Sequence, residues 1–452
     1  MGRLFGTDGI RGIANTELSC DKAMTIGRAA AIVLSKGLEK RPTIIIGADT
    51  RASSEMLGAA VSAGICSAGA NVIMLGVVPT PAVAYLVNLL KADAGIMISA
   101  SHNPFEYNGI KIFDGDGFKL PDELEEEIED IILGVETVDS EPPAGGKIGR
   151  ISYKSNAVSL YQEHIKSSVN TSFDGLNIAI DCANGSSSVS AEKLFVELGA
   201  NVHMLSNHPN GTNINKDCGS THMERIQKYV LDNKLDCGLA FDGDADRFLC
   251  VDELGNIIDG DMIMAICALD MKKHGKLAHN TVVGTIMTNF GFTKFCDGQD
   301  IKFIATKVGD RFVLEEMNLC GYALGGEQSG HIIFRDYATT GDGQLTAVQL
   351  LSIMVKEKKR LSELASVMTK APQTMINLKI SANGKRLFYT DAVVKKAIDD
   401  ASEELGSTGR IVVRPSGTEP LIRVMAEGES EELIENIANK LADVITERLG
   451  NK

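Results

Sequence analysis

The residues best suited to chemistry in this sequence are three aspartates at alternate positions, in the segment Asp242-Gly243-Asp244-Ala245-Asp246. In a tight loop, side chains at alternate positions can converge on one point, and hard cations prefer oxygen ligands. An apolar run with the pattern of a buried strand comes directly before them, which disfavours a merely solvated acidic turn. Three carboxylates without a distal bidentate glutamate are typical of Mg²⁺ that completes its coordination with a phosphate oxygen.

An EF-hand calcium loop is the main alternative for this segment, because Asp242, Asp244, Asp246 and Glu253 match loop positions 1, 3, 5 and 12. Position 6 opposes it, because Arg247 stands where the EF-hand turn requires glycine. The flanking residues also have the pattern of strands rather than helices. A magnesium loop is therefore the favoured interpretation.

A second polar loop, Ser99-Ala100-Ser101-His102-Asn103-Pro104, follows another apolar run. A serine needs a neighbouring base or other activation to act as a nucleophile. His102 is adjacent, but adjacent side chains usually point apart, and no G-x-S-x-G turn surrounds Ser101, so a Ser-His-Asp hydrolase is not expected. Phosphorylated, Ser101 would offer acceptor oxygens that a metal on the aspartates could bind.

A third loop, Arg414-Pro415-Ser416-Gly417-Thr418-Glu419-Pro420, has Arg423 on the strand that follows it. Guanidinium forks match phosphate geometry, and the Ser-Gly-Thr stretch supplies hydroxyls and backbone N–H groups for an anion. An ordinary glycine-containing turn is the alternative. Further candidates, each consistent with a plain surface residue when taken alone, are Arg11, Lys111, Glu327, Ser329 and His331.

Internal similarity relates the first two loops. The segment Gly69–Leu75 recurs as Gly199–Leu205. Asp93–Ile98, directly before the Ser101 loop, is echoed by Asp236–Phe241, directly before the aspartates. A fainter third copy begins at Tyr322. Because open α/β sheets bind ligands at the carboxyl ends of their strands, three related α/β units could bring three polar loops to one cleft.

Short β-branched runs alternate with helical patterns along most of the chain, which predicts α/β domains with mixed, largely parallel sheets. After Ala371-Pro372 the pattern changes to that of a separate α+β domain. For 452 residues we predict four domains, at 1–152, 153–255, 256–370 and 371–452.

The composition of the chain argues against several classes of partner and location. With 60 acidic against 45 basic residues, the formal charge is −15, which argues against nucleic acid or an anionic membrane as the main partner. No apolar run approaches the roughly 18 residues of a membrane span, and no signal core begins the sequence. The nine cysteines form no C-x-x-C pair, which indicates a reducing compartment. We expect a soluble, cytoplasmic protein.

Four motifs in series resemble the α-D-phosphohexomutase superfamily over nearly the whole chain. They are Ser99 to Pro104, Asp242 to Arg247, Gly326 to His331 and Arg414 to Thr418. The resemblance implies four domains around a deep cleft, three of them α/β and the fourth TATA-binding-protein-like. It implies that Ser101 is phosphorylated and that one Mg²⁺ per subunit is bound by Asp242, Asp244, Asp246 and the Ser101 phosphate.

Within the superfamily, the sequence most resembles the phosphoglucosamine mutases. Four features carry this resemblance: Phe5 to Gly12, Ser99, Lys307 to Arg311, and Gln328. That resemblance implies interconversion of glucosamine 6-phosphate and glucosamine 1-phosphate through a 1,6-bisphosphate, for UDP-N-acetylglucosamine and cell-wall synthesis. The partner would be a phosphorylated hexosamine, with a homodimer as a possible assembly. Two alternatives stay open: a phosphoglucomutase or phosphomannomutase, and a non-catalytic calcium- or phosphosugar-binding protein.

The resemblance also assigns roles. Lys111 is the first candidate to move the hydroxyl proton, provided that neighbouring cations depress its pKa, with Arg11 and His331 assisting. Arg247, Glu327 and Ser329 would bind the sugar. The far phosphate would be held by Arg414, Ser416, Gly417, Thr418 and Arg423.

Overall fold

The structure is a computed structural model that describes residues 4–6, 8–136, 141–416 and 420–450. The chain divides into two compact units. One comprises Met1–Val283 with Gly309–Ser366, and the other Gly284–Val308 with Val367–Lys452. The loops of Ser101 and of the three aspartates both belong to the first unit.

The first sheet has the strand order β1-β5-β4-β2-β3-β6, with β2 parallel to β3 and β4, and β5 antiparallel to β4 and β1. Its strands are β1 (Ile10–Ile13), β2 (Thr43–Ala48), β3 (Asn71–Val77), β4 (Ala94–Ile98), β5 (Tyr107–Phe113) and β6 (Ile151–Tyr153). The helices of this segment are α1 (Cys20–Leu34), α2 (Ala52–Ser67), α3 (Thr80–Leu90) and α4 (Asp122–Ile132).

Apolar side chains of the central strands, such as Ile46 and Ile96, pack against α1 and α2 in one core. The two helices approach so closely that a Cβ at Gly64 would lie 2.0 Å from the carbonyl oxygen of Met24. Only glycine permits that contact, which fixes α1 and α2 as a layer over the sheet.

The second sheet has the order β11-β10-β9-β7-β8. Its strands are β7 (Asn177–Asp181), β8 (Asn201–Leu205), β9 (Cys237–Phe241), β10 (Phe248–Asp252) and β11 (Ile257–Ile258), and the helices of this segment are α5 (Ala157–Ser167), α6 (Ala191–Glu197) and α7 (Glu224–Asn233). The order β10-β9-β7-β8 repeats β5-β4-β2-β3 of the first sheet, with the same parallel and antiparallel pairs. The relation between the two segments that the sequence predicted is therefore confirmed.

The third copy follows the same plan. The chain continues through α8 (Gly260–Lys273), β12 (Thr281–Thr285), α9 (Phe290–Gly298), β13 (Lys302–Thr306), α10 (Asp310–Cys320), β14 (Leu324–Gly326), β15 (Ile332–Phe334), α11 (Gly343–Glu357) and α12 (Leu361–Ala365). Strand β12 pairs with β14 in parallel and β14 with β15 antiparallel, which repeats β2-β4-β5. In each of the three copies, a polar loop thus joins a central strand to its antiparallel neighbour. These are the loops of Ser101, of the three aspartates and of Glu327.

The second unit contains an antiparallel sheet of order β16-β18-β17. Its C-terminal elements are β16 (Gln373–Lys379), α13 (Ala382–Phe388), α14 (Ala392–Leu405), β17 (Gly409–Pro415), β18 (Leu421–Gly428) and α15 (Glu431–Leu449). The α+β pattern predicted for this segment is confirmed, and α13 is an element that the sequence reading missed.

Residues 284–308, which the predicted boundaries assign to 256–370, belong to this second unit. The buried carboxylate of Glu427 holds them there, since it accepts from the Phe290 amide at 3.0 Å and from Asn289 Nδ2 at 3.2 Å. The four domain boundaries themselves stay predictions. Across the described residues, we find no helix that combines the length and the apolarity needed to cross a bilayer.

Candidate active site

Ser101 lies in the loop between β4 and β5, with its side chain buried and its backbone in the left-handed region at φ +52°. Its hydroxyl donates to Asp242 Oδ2 at 2.6 Å. The two loops approach so closely that a Cβ at Gly243 would lie 2.5 Å from the Ser101 carbonyl oxygen. The structure therefore places the serine against the aspartates, and glycine between the aspartates makes that approach possible.

Arg51 fixes the backbone of the serine loop. Its buried guanidinium donates to Asp49 at 2.8 Å and to the carbonyl oxygens of Ser101 and Asn103, each also at 2.8 Å. From the second sheet, Asn215 Nδ2 donates to the same Ser101 carbonyl at 2.8 Å. Because these contacts involve the backbone, the position of Ser101 does not depend on its own hydroxyl.

The three aspartates are buried, and one carboxylate oxygen from each lies within 4.8 Å of the other two. Among the described atoms, Asp244 Oδ1 and Asp246 Oδ1 have no hydrogen-bond partner. Burial, followed by the charges of Asp246 and Asp244, raises the pKa of Asp242 well above its usual value. Unpartnered, buried anionic oxygens fit a bound divalent cation, whose charge would offset this repulsion.

The strands β9 and β10 flank these aspartates on both sides. An EF-hand needs helices there, so the calcium-loop alternative is wrong for this segment.

Lys111, on β5, is surrounded by carboxylates. Its ammonium lies 2.9 Å from Asp8, 2.8 Å from Asp244 and 3.4 Å from Asp246. Burial alone would lower the pKa of Lys111, but these three carboxylates raise it well above its ordinary value. The depressed pKa expected from neighbouring cations is therefore wrong for this arrangement, because the nearest charges are negative.

Asp8 joins the cationic candidates into one network. It contacts Arg11 and Lys111, and its Oδ1 accepts from Lys119 at 2.7 Å. Burial opposes ionisation, yet Lys111, Lys119 and Arg11 hold the pKa of Asp8 well below its usual range. Arg11 also reaches the serine loop, where it donates to Asn103 Oδ1 at 3.1 Å.

His331 connects this network to the aspartates. Its Nδ1 lies 3.7 Å from Asp246 and its Nε2 3.3 Å from Asp310, which also contacts Lys119. Although burial lowers it, the pKa of His331 is raised overall because Asp310 and Asp246 stabilise the imidazolium. His331 thus links Asp246 and Asp310, and its Nε2 also accepts from the Gly341 amide at 3.0 Å.

Contrary to expectation, the side chain of His102 points toward that of Ser101. Its Nδ1 lies 3.4 Å from the serine hydroxyl. The same Nδ1 is 3.1 Å from Arg247 Nη1, and burial together with Arg247 and Arg11 lowers the pKa of His102 to about 4. The ring is neutral at pH 7 and is engaged by a cation rather than oriented by an aspartate. A hydrolase triad is not formed.

The predicted sugar loop lies between β14 and β15. Glu327 Oε1 accepts from the Gly309 amide at 3.1 Å, and Ser329 is exposed. Arg247 donates its backbone N–H to Asp242 Oδ1 at 3.2 Å, and its guanidinium is close enough to Glu327 for that charge to help raise the pKa of Arg247. The sugar loop therefore offers a carboxylate and an exposed hydroxyl, and Arg247 of the aspartate loop adds a guanidinium near Glu327.

In the second unit, Arg414 and Arg423 are directly opposite each other on β17 and β18. Burial, and then Arg423, lowers the pKa of Arg414. Like charges in opposite positions are destabilising, and an anion that binds between them would remove the conflict. Lys385 donates to the Ser416 carbonyl beside this pair. Gly417 and Thr418, also predicted to bind phosphate, lie outside the described residues.

Comparison with known proteins shows the family of this chain. Phosphoglucomutase/phosphomannomutase domains I, II and III and the C-terminal domain match residues 2–139, 159–255, 259–371 and 353–444. A phosphoglucosamine mutase of Clostridium novyi is 54% identical over 99% of both chains. One of Caldanaerobacter subterraneus is 55% identical over 99% of this chain and 100% of that one. The chain belongs to the phosphoglucomutase/phosphomannomutase family.

Solved structures share the fold of the family. A phosphoglucomutase/phosphomannomutase family protein from Burkholderia thailandensis superposes with a TM-score of 0.83 at 23% identity, covering 99% of this chain and 98% of that one. An N-acetylphosphoglucosamine mutase from Aspergillus fumigatus gives a TM-score of 0.70 at 17% identity, with coverage of 99% and 96%. These structures show the α/β fold; the family models and the sequence relatives show that the chain is a phosphohexomutase, an enzyme of the isomerase class.

Several site residues of this family member were not found from the sequence. They are Asp8, Arg51, Thr80 and Asn215, each of which contacts a predicted site residue, and Lys119, which contacts Asp8. The acid at Asp8, three positions before Arg11, was the one local signal. The others are more than 20 positions from the residues they contact, so that only the fold brings them together.

Proposed function

We propose that this enzyme is a phosphoglucosamine mutase that interconverts glucosamine 6-phosphate and glucosamine 1-phosphate. The observation that carries the proposal is the identity of 54–55% with phosphoglucosamine mutases over 99% of this chain. The site supports it, because a buried serine hydroxyl lies 2.6 Å from one of three clustered carboxylates. The product would feed UDP-N-acetylglucosamine and cell-wall synthesis, in the cytoplasm.

In the proposed reaction, the P–O bond of phosphorylated Ser101 breaks and a new P–O bond forms to the free hydroxyl of the bound sugar phosphate. The proton of that hydroxyl ends on the released Ser101 oxygen, and the product is glucosamine 1,6-bisphosphate, which is also the expected activator. The bisphosphate then turns over, and its other phosphate returns to Ser101. Such transfer depends mainly on positioning and on neutralising charge, which are what the loop contacts of Arg51 and Asn215 and the nearby cations supply.

The proposed cofactor is one Mg²⁺ held by Asp242, Asp244, Asp246 and the phosphate on Ser101. When bound, it would supply positive charge to the transferring phosphoryl oxygens. Lys111 and Arg11, which both contact Asp8, would add positive charge near the same oxygens. Which of Lys111, Arg11 and His331 moves the hydroxyl proton stays a prediction.

The remaining residues are proposed to hold the sugar. Glu327 and Ser329 bind its hydroxyls and Arg247 its near phosphate. The phosphate that is not transferred is bound in the second unit by Arg414, Ser416, Gly417, Thr418 and Arg423. A homodimer is a further proposal, which sedimentation velocity would test.

Replacing Arg414 by alanine is expected to raise KM for phosphosugars by roughly 10- to 100-fold, because it removes charge-assisted hydrogen bonds to the distal phosphate. Inhibition by free glucosamine should change little. Steady-state kinetics with both compounds measures the difference, and an equal loss for both would contradict the role.

Arg410, on the same strand, provides the matched control, since it donates to buried Glu427 at 2.7 Å and so supports the fold of the second unit. Arg410→Ala should lower thermal stability, whereas Arg414→Ala should not, because it removes one of two opposed guanidiniums.

A coupled assay with a trace of the sugar bisphosphate tests the function itself. We expect kcat/KM for glucosamine 6-phosphate to exceed that for glucose and mannose phosphates. A preference for glucose or mannose phosphate would instead make the chain a phosphoglucomutase or phosphomannomutase. Binding of phosphosugar or Ca²⁺ without turnover of any of the three would indicate a non-catalytic protein.

A further inference from the structure

Thr80, the first residue of α3, contacts the metal loop although nothing in the sequence suggests it. It is fully buried, and its Oγ1 donates to Asp244 Oδ2 at 2.6 Å. Its backbone N–H donates to the Asp244 carbonyl at 2.9 Å. Both hydrogen-bond donors of this threonine are therefore directed at one residue, 164 positions further along the chain.

The two oxygens of the Asp244 carboxylate have opposite environments. Oδ2 accepts from Thr80 and also from Lys111, at 2.8 Å. Oδ1 is buried and, among the described residues, has no hydrogen-bond partner. Because a carboxylate rotates as a unit, fixing Oδ2 determines where Oδ1 points, and an unpartnered oxygen is the one free to bind a cation.

A purely structural role would not explain why the Thr80 hydroxyl donates to Asp244. At the start of a helix, a threonine hydroxyl commonly accepts from an N–H of the first turn, which stabilises the helix. At α3 there is no such side-chain cap, and the residue before the helix is Pro79. The hydroxyl instead donates outwards to a carboxylate at the N-terminus of the helix, where the helix dipole also favours negative charge.

We infer that Thr80 is a positioning residue of the metal site, which orients Asp244 from the first sheet segment so that Oδ1 faces the cation. The inference rests on the proposed metal-assisted function and extends it to a residue outside the metal loop. Outer partners of ligating carboxylates typically contribute 10- to 100-fold to metal affinity. Lys111 cannot replace Thr80, because its ammonium is shared with Asp8 and Asp246.

The test is the affinity of the full-length protein for Mn²⁺, measured by electron paramagnetic resonance of free Mn²⁺ and independent of turnover. Thr80→Val, which keeps the shape and removes the hydroxyl, should weaken Mn²⁺ binding by roughly 10- to 100-fold. Thr80→Ser, which keeps the donor, should restore it. Thr281→Val is the control, since that equally buried hydroxyl donates to the His279 carbonyl at 2.9 Å and should leave affinity unchanged.

Unchanged affinity in Thr80→Val, or an equal loss in the Thr281 control, would overturn the inference while leaving the proposed function intact. If the unaltered protein binds no Mn²⁺, both fail. Should Thr80→Val not fold, a Mn²⁺-soaked crystal of the unaltered protein decides the matter by anomalous scattering. Mn²⁺ at Asp244 Oδ1 supports the assignment, and Mn²⁺ at the Thr80-facing Oδ2 contradicts it.

Discussion

Replacing Ser101 by alanine should abolish mutase turnover, with kcat lowered by roughly 10⁴-fold or more, because no other hydroxyl takes its place as acceptor of the phosphoryl group. The loop should keep its shape, since Arg51 and Asn215 bind the carbonyl of Ser101 rather than its side chain. The coupled assay with added sugar bisphosphate measures the loss. Intact mass should show one phosphate on the unaltered protein and none on the variant.

Ser62→Ala serves as the matched control, because that buried hydroxyl donates to the Gly58 carbonyl at 2.7 Å within α2. The control should turn over normally and carry the phosphate. Full activity in Ser101→Ala, or phosphate on the variant at another residue, would show that the reaction does not proceed through Ser101.

The central elements of the site could be predicted because their signals are local. Three aspartates at alternate positions, and a serine loop after an apolar strand, are recognisable within a few residues of sequence. The internal repeat then predicted that both loops follow equivalent strands, and the shared order β5-β4-β2-β3 and β10-β9-β7-β8 confirms it. Because the repeated sequence segments form equivalent strands, the loops that follow them occupy equivalent positions in the two sheets.

Contacts between distant segments could not be predicted in this way. Lys119 meets Asp310, and Thr80 meets Asp244, across more than 150 positions. Neither Lys119 nor Thr80 belongs to a recognisable motif. In the sequence, Lys119 looks like an ordinary surface residue and Thr80 like an ordinary residue at the start of a helix. Their roles depend on how the three α/β segments pack, which is a property of the tertiary structure.

The pKa shift of Lys111 has one sign in the interpretation of the sequence and the opposite sign in the structure. From the sequence, the nearest known cations suggested a depressed pKa. In the fold, Asp8 and Asp244 are both within 3 Å of the ammonium, and their charges outweigh both burial and Arg11. The sign of a pKa shift depends on distances of a few ångströms, which sequence spacing does not contain. Lys111 is thus better suited to neutralising charge than to accepting a proton in this arrangement.

Replacing Asp244 by asparagine is expected to remove metal binding and to lower turnover by on the order of 10³-fold, the several kcal/mol that a metal typically supplies. It should not destabilise the metal-free protein. The amide keeps an acceptor for Thr80 and Lys111, and it puts an N–H donor where Asp244, which clusters with two other carboxylates, has an unpartnered oxygen. Calorimetry with EDTA should therefore give an unfolding temperature equal to or above that of the unaltered protein.

Adding Mg²⁺ should separate the two proteins further. At about 100 times Kd, the cation stabilises the unaltered protein by about 2.7 kcal/mol and the variant not at all. Asp252→Asn is the control, because Asp252 Oδ2 accepts from Asn256 Nδ2 at 2.9 Å and Asp252 lies at the end of β10 opposite the aspartate loop. It should lose about 1 kcal/mol of stability and keep the Mg²⁺ effect. If Asp244→Asn behaves like this control, the carboxylate is structural and the metal binds elsewhere.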